Sequence, residues 1–253
     1  MCEFYYGVKP RLSYFRGLST GGRQGLVAAQ RFPADFDGII SGSPALNLSS
    51  SILFMAWVAK SNRYPNGTSI LKAADFQILE EASRNACDGN DGVLDRIVDP
   101  SYKCTFDPAT ILCGLTNTTA KACLNEDQVN VANGFYHGPQ DSKGNSLGLG
   151  RINPGAESAL SLYATDDTSY SAGYLFGQSG MASAIFEEDL PLSFSLEDFD
   201  WDNIPPVSYM ESFYSGTNAD MSVFKRRGGK MIILDGWQDH QLVPQLTLEW
   251  YQR

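Results

Sequence analysis

The stretch Leu12-Ser13-Tyr14-Phe15-Arg16-Gly17-Leu18-Ser19-Thr20-Gly21-Gly22-Arg23-Gln24-Gly25-Leu26 decides how the rest of the chain is read. Residues 12–15 form a short apolar run of the length expected for a buried strand. Residues 17–22 hold three glycines and read as a tight turn. Residues 24–30, with Leu26, Val27, Ala28 and Ala29, read as a helix that stops near Pro33. Phe36-Asp37-Gly38-Ile39-Ile40-Ser41-Gly42 then reads as the next strand. Strand, helix and strand at this spacing make a βαβ unit, which implies a parallel sheet and an α/β architecture.

Outward from this unit, a second sheet signal lies near the other end. Lys230-Met231-Ile232-Ile233-Leu234 is a continuous apolar run, expected to be a strand buried on both faces. A helix is expected over 245–252, with Pro244 at its start. The intervening chain differs. It carries helical pieces at 52–60 and 73–85 and long connections rich in Gly, Ser, Asn and Asp, such as 138–154. The expected organisation is a catalytic core segment over 1–47, an inserted lid over 48–218 and a second core segment over 219–253.

Gly17-Leu18-Ser19-Thr20-Gly21 is a Gly-x-Ser-x-Gly pentapeptide between a strand and a helix. That arrangement sets a serine on a strained turn with its hydroxyl above the sheet edge, and small residues on either side permit the close backbone approach. Ser19 is therefore a candidate nucleophile and the Thr20 N–H a candidate oxyanion donor. A phosphate-binding loop is disfavoured because the lysine of that motif is absent. Asp239 lies just past the end of the second strand signal, where α/β sheets place functional groups. The order Ser then Asp fits a triad whose histidine comes later in the chain. Neither His137 nor His240 suits that role. His240 adjoins Asp239 directly, and His137 lies in the insertion.

The chain has 253 residues and 43% hydrophobic content, enough for one large domain or for a core with an insertion. A net charge of −10 argues against nucleic acid and anionic membranes as partners. No apolar run is long enough to span a bilayer. Cys87, Cys104, Cys113 and Cys123 crowd one loop-rich stretch without a CxxC pair, which suggests two disulfides and an oxidising compartment. Asn47-Leu48-Ser49, Asn66-Gly67-Thr68 and Asn117-Thr118-Thr119 are glycosylation acceptors. These features suggest a secreted glycoprotein. No signal core follows Met1-Cys2-Glu3-Phe4, so an export signal is expected to lie outside this sequence.

The run 14–26, continued by Ala29-Gln30-Arg31-Phe32-Pro33-Ala34-Asp35-Phe36-Asp37-Gly38-Ile39, resembles the tannase and feruloyl esterase family. So do Arg227-Gly228-Gly229-Lys230, Gly236-Trp237-Gln238-Asp239 and Val243-Pro244. The resemblance implies a partial α/β-hydrolase fold, mostly parallel, with an inserted lid. It implies a serine esterase acting on a small phenolic ester or a plant cell-wall ester, of feruloyl or galloyl type. Asp239 is then the triad acid. Aromatic residues of the lid, among Trp57, Tyr64, Phe194 and Trp201, are candidates to stack on the phenolic ring or simply to pack the core.

Cys87-Asp88-Gly89-Asn90-Asp91-Gly92-Val93-Leu94-Asp95-Arg96-Ile97 gathers three carboxylates that would repel one another unless solvated or bound to a hard cation. The resemblance implies a structural calcium site with side chains from Asp88, Asp91 and Asp95 and carbonyls from Val93 and Ile97. A solvated acidic turn is the other reading. Cys87 and Cys104 bracket this loop and are expected to pair, with Cys113–Cys123 as the second bridge; crossed pairings stay open. Cys2 is expected to be free and buried.

The sequence also departs from the family. Leu18 stands where the family has a cysteine that bonds to another beside the catalytic histidine. That histidine would follow Asp239 beyond Arg253, and only eighteen residues precede Ser19. The chain is therefore expected to be a fragment of a longer protein. A catalytically dead fragment, or a calcium-binding glycoprotein derived from such an esterase, is the alternative function.

Overall fold

The computed structural model describes residues 2–115, 122–165 and 171–253. In chain order the elements are α1 (Cys2–Tyr6), β1 (Tyr14–Leu18), α2 (Thr20–Arg31), β2 (Gly38–Gly42), α3 (Leu48–Ser61), α4 (Ala73–Cys87), α5 (Glu126–His137), α6 (Glu157–Ala164), α7 (Ala172–Ser183), α8 (Tyr209–Tyr214), α9 (Ser222–Arg226), β3 (Lys230–Leu234) and α10 (Pro244–Tyr251). Among the described residues the strands form one parallel sheet in the order β1-β2-β3. Tyr14 pairs with Gly38, and Gly38 with Lys230. The fold is thus α/β, with seven α-helices among the described residues inserted between two strands that are neighbours in the sheet.

Alternation along the strands sorts their side chains to two faces. Phe15, Ile39, Met231 and Ile233 turn to one face, where they pack with Leu26 and Ala29 of α2, Phe224 of α9 and Trp250 of α10. Tyr14, Leu18, Ile40, Ile232 and Leu234 turn to the other face and are exposed. This corrects the expectation that β3 is buried on both sides. Ile232 and Leu234 are 56% and 59% exposed because no described helix packs over them.

The chain leaves the sheet at Gly42 and builds a helical body with its own core. Asn47 caps α3 by accepting from the Ser50 N–H, and Asn125 with Gln128 forms a capping box on α5. α3 is apolar nearly all round, which suits a helix enclosed by others. Leu53, Phe54, Met55, Ala56, Val58 and Ala59 are all buried in one cluster with Phe76, Phe135 and Met181. Three glycines let α7 approach α3 closely. A side chain at Gly173 would meet the Met55 carbonyl, one at Gly177 would meet Ala56, and one at Gly180 would meet Ile52.

The chain then returns toward the sheet along α2. Arg23 is buried, lies over the Tyr214 ring and donates to the Tyr214 carbonyl at 2.5 Å. Gln30 donates to the carbonyls of Gly216 and Asn218.

Candidate active site

Ser19 sits between β1 and α2 with φ 60° and ψ −120°. A non-glycine residue there is strained, a cost on the order of 1–3 kcal/mol that the surrounding structure must hold in place. Several backbone bonds do so. The Ser19 N–H donates to the Gly42 carbonyl at 2.9 Å, and the Ser19 carbonyl accepts from Arg23 and Ala45. The buried Ser41 hydroxyl donates to the Gly22 carbonyl at 2.9 Å, tying β2 to the first turn of α2.

The glycines divide this work differently from the motif's symmetry. A Cβ on Gly17 would lie 2.2 Å from the Gly21 carbonyl oxygen, and one on Gly22 would lie 2.3 Å from the Gly42 carbonyl oxygen. Gly21 has open space around it. The expected close approach is therefore real at Gly17. On the helix side it is Gly22, not Gly21, that lets α2 lie against β2.

The exposed Ser19 opens onto a cleft of about 460 Å³ that also holds Asp239, Ser43, Leu162 and Tyr163. The Thr20 N–H, first in α2, has no hydrogen-bond partner among the described residues and belongs to the positive end of that helix. Asp239 ends the turn after β3. Its Oδ1 accepts from the N–H groups of Gln241 and Leu242, both at 3.0 Å, which fixes the carboxylate and leaves Oδ2 for another donor. The structure thus brings Ser19 and Asp239 to one cleft at the C-terminal ends of the strands, with Thr20 next to Ser19 in the chain.

Asp235 sits one turn nearer the strand. Partial desolvation, with repulsion from Asp239, raises its carboxyl above the usual range. The cleft wall contributed by the insertion is α6. Partial desolvation, together with the Asp239 charge, lifts the Tyr163 phenol.

Neither histidine bridges Ser19 and Asp239. His240 borders the cleft, but its ring is buried and its Nε2 is hydrogen-bonded at the Ala156 carbonyl. Burial lowers its pKa. His137 closes α5, exposed, with Nδ1 at 2.7 Å from the Asn133 carbonyl. Leu18 is 71% exposed on the uncovered sheet face.

The acidic loop begins with a 3-10 turn over Asp88–Asp91. Asp88 accepts from the Asp95 N–H at 3.2 Å, Asp91 from Val93 at 2.9 Å and Asp95 from Ile97 at 3.0 Å. Each carboxylate keeps one oxygen outside these bonds. Three carboxylates with two nearby carbonyls are the hard oxygen donors that calcium takes. Among the described residues, however, no three acidic, His or Cys side chains converge closely enough to hold a metal ion. In donor type the residues fit a calcium site; in this conformation they are not gathered around one point.

Both expected disulfides are present, Cys87–Cys104 with Cα atoms 5.7 Å apart and Cys113–Cys123 at 5.0 Å. The Cys2 side chain and the acceptor 117–119 lie outside the described residues. Asn47 is partly buried and engaged as a helix cap, whereas Asn66 is exposed. Of the candidate aromatic residues, Trp57 packs on Phe135, and Phe194 and Trp201 pack on Phe199. Tyr64 donates to Asp127. None of the four lines the Ser19 cleft. The residues that do, Ser43, Leu162 and Tyr163, were missed from sequence. Ser43 follows the end of β2, a position that sheet topology alone would have flagged.

Comparison with known proteins agrees with this geometry. An uncharacterised esterase of Xanthomonas campestris is 28% identical over 96% of this chain and 44% of its own length. A probable feruloyl esterase B-2 of Aspergillus flavus is 29% identical over 98% of this chain and 46% of its own. The crystal structure of feruloyl esterase B from Aspergillus oryzae superposes with a TM-score of 0.77 at 24% identity, over 96% of this chain and 47% of that one. The chain spans about half the length of these relatives. The family described as tannase and feruloyl esterase matches residues 1–253, and the chain belongs to that family.

Proposed function

We propose that this chain carries the nucleophile and the acid of a serine carboxylic ester hydrolase acting on phenolic-acid esters of the feruloyl or galloyl type. The observation that supports this best is the strained Ser19 at the head of α2, facing one cleft with Asp239. Ser19 Oγ attacks the ester carbonyl, and the Thr20 N–H receives the oxyanion that forms. Asp239 Oδ2 orients a histidine that takes the serine proton and passes it to the leaving alcohol. Neither His137 nor His240 is that histidine. Leu162 and Tyr163 border the cleft.

The acidic loop is proposed to bind calcium through Asp88, Asp91, Asp95 and the carbonyls of Val93 and Ile97, drawing in the carboxylate oxygens that the loop leaves unbonded. The insertion is proposed to act as a lid. Secretion, with glycosylation at Asn66, completes the reading. No described helix is long and apolar enough to cross a membrane.

The absence of a histidine between Ser19 and Asp239 among the described residues favours a second reading, a chain that binds but does not turn over. Without a base, serine is a poor nucleophile at neutral pH. Two measurements separate the readings: labelling of Ser19 by a fluorophosphonate, and turnover of methyl ferulate and methyl gallate. The expected outcome for the chain by itself is slow labelling lost in Ser19→Ala, with little turnover. Turnover comparable to that of the full-length relatives would refute the need for a further histidine. Labelling that persists in Ser19→Ala would refute the assignment of the nucleophile.

A further inference from the structure

We propose that a second cavity, of about 820 Å³, binds a ring-borne carboxylate. It lies between the loop 101–109, the last turn of α5 and the extended stretch 151–154. Its volume falls within the roughly 300–1,000 Å³ typical of small-molecule sites. Cys87–Cys104 staples one wall and α5 forms another, so the cavity is built on constrained elements.

Its polar lining includes one guanidinium, one imidazole and one unpaired hydroxyl. Arg151 has no hydrogen bond and no acidic partner among the described residues, in a protein of net charge −10. His137 donates from Nδ1 to the Asn133 carbonyl, so in the neutral ring Nε2 is an acceptor, open to a hydroxyl of a ligand. Ser101 lines the cavity, is 1% exposed, and its buried hydroxyl has no hydrogen-bond partner among the described residues. A buried unpaired hydroxyl costs roughly 1–3 kcal/mol, which a bound acceptor would recover. The acidic residue on this wall, Asp107, already caps its own turn by accepting from the Ala109 N–H. The guanidinium and the Ser101 hydroxyl are donors that match a carboxylate, and His137 Nε2 can accept from a hydroxyl on the same ring.

The remaining surface suits a ring. Phe106 and Ile152 give an apolar wall, and Tyr102 is 40% exposed with its other side against Trp237 at 5.5 Å. Trp237 lies two residues before Asp239, and its carbonyl accepts from the buried Asn153 that lines the same cavity. A ligand here would therefore press on the turn that presents the triad acid. Two sources share this chemistry: a uronic acid within a cell-wall polysaccharide, and the aromatic acid that ester hydrolysis releases. Naming these sources rests on the proposed esterase reading; the binding itself does not.

The test is isothermal titration of the intact chain with digalacturonate and with benzoate, each beside its neutral counterpart, digalacturonate methyl ester and benzamide. At least one acid is expected to bind with its neutral counterpart about tenfold weaker or more, the equivalent of about 1.4 kcal/mol. Whichever acid binds identifies the source. Arg151→Gln, at an exposed position, is expected to weaken binding about tenfold, and Ser101→Ala several-fold. Ser19→Ala is expected to bind as the parent does, which separates this site from the catalytic cleft and from any failure of the esterase reading. The proposal is overturned if neither acid binds below about 10 mM, a limit near −2.7 kcal/mol. It is equally overturned if the neutral compounds bind as well, or if Arg151→Gln leaves binding unchanged.

Discussion

Replacing Gly17 with alanine should damage the elbow, while replacing Gly21 should not. The new Cβ at residue 17 would lie 2.2 Å from the Gly21 carbonyl oxygen and 2.3 Å from its carbon. Comfortable carbon–oxygen contact begins near 3.3 Å, so β1 and the first turn of α2 must part by about 1 Å. Neither obstacle is a side chain that can rotate away. The same turn is locked on its far side, where Gly22 lies against the Gly42 carbonyl and Ser41 bonds to Gly22. Overpacking a core typically costs about 1–3 kcal/mol, and backbone against backbone belongs at the upper end. At about 2–4 °C per kcal/mol for a chain of this size, Tm should fall by about 6–12 °C. Gly21→Ala meets no atom within 4 Å. It replaces glycine inside a helix, so Tm should hold or rise, by at most the ~1 kcal/mol that separates the two residues in helices. Thermal melts followed by circular dichroism decide the matter. If the two variants melt alike, or if Gly17→Ala melts within about 2 °C of the parent, the steric account of the elbow is wrong.

Opening the Cys87–Cys104 bridge by paired serine substitution should lower stability by about 3 kcal/mol, read in urea melts, since it closes a loop of 17 residues. An undiminished midpoint would show that the loop is held by other contacts. Glu157 is fully buried, and burial raises its pKa above the usual carboxylate range. Its contribution to stability is therefore present below the ordinary Glu pKa and declines as pH rises through the folded value. Glu157→Gln should flatten the fall of Tm above about pH 4.5, and an unchanged slope would mean that other groups cause it. His240 runs the opposite way. Burial lowers its pKa, so stability is lost as pH falls from about 6.5 through the folded value, and His240→Gln should remove that loss from an acid titration of Tm. Calcium should raise Tm in the parent and do so far less in Asp95→Asn; equal shifts in both would refute the proposed ligand set.

The βαβ unit was legible because its signals are local. Glycines at fixed offsets, a continuous apolar run and a proline stop need no knowledge of distant residues. The helix proved longer than its apolar part, beginning at Thr20, because its first turn is held by Gly42 and Ser41 rather than by side chains of its own. The pairing of Cys87 with Cys104 was legible from the acidic loop they bracket, whereas closeness in sequence would equally have suggested Cys104 with Cys113. Burial was not legible. Ile232 and Leu234 read as core residues, yet whether a strand face is covered depends on elements far along the chain. The cleft wall was also hidden. Leu162 and Tyr163 lie in an ordinary amphipathic helix, and only the packing of α6 beside the Asp239 turn brings them near Ser19. The lid aromatics misled in the other direction, because Trp57, Phe194 and Trp201 satisfy a hydrophobic core as readily as a ligand.

That division between local and distant determinants also explains how the candidate site can be well formed with no histidine between Ser19 and Asp239 among the described residues. The strain at Ser19 is held by β1, α2, β2 and the turn after it, through Gly17, Gly22, Ser41, Gly42 and Ala45. Asp239 is held by its own turn, through Gln241 and Leu242. Neither geometry needs the other, and neither needs a histidine. Oxyanion stabilisation and the orientation of the acid can therefore persist where general-base catalysis does not. In serine hydrolases the two contributions are separable, and the oxyanion site with binding retains roughly 10³–10⁴-fold acceleration when triad members are lost. Reactivity of Ser19 toward a phosphonate and turnover of an ester consequently report different parts of this molecule. The first tests the elbow, and the second tests whether a base reaches the free Oδ2 of Asp239.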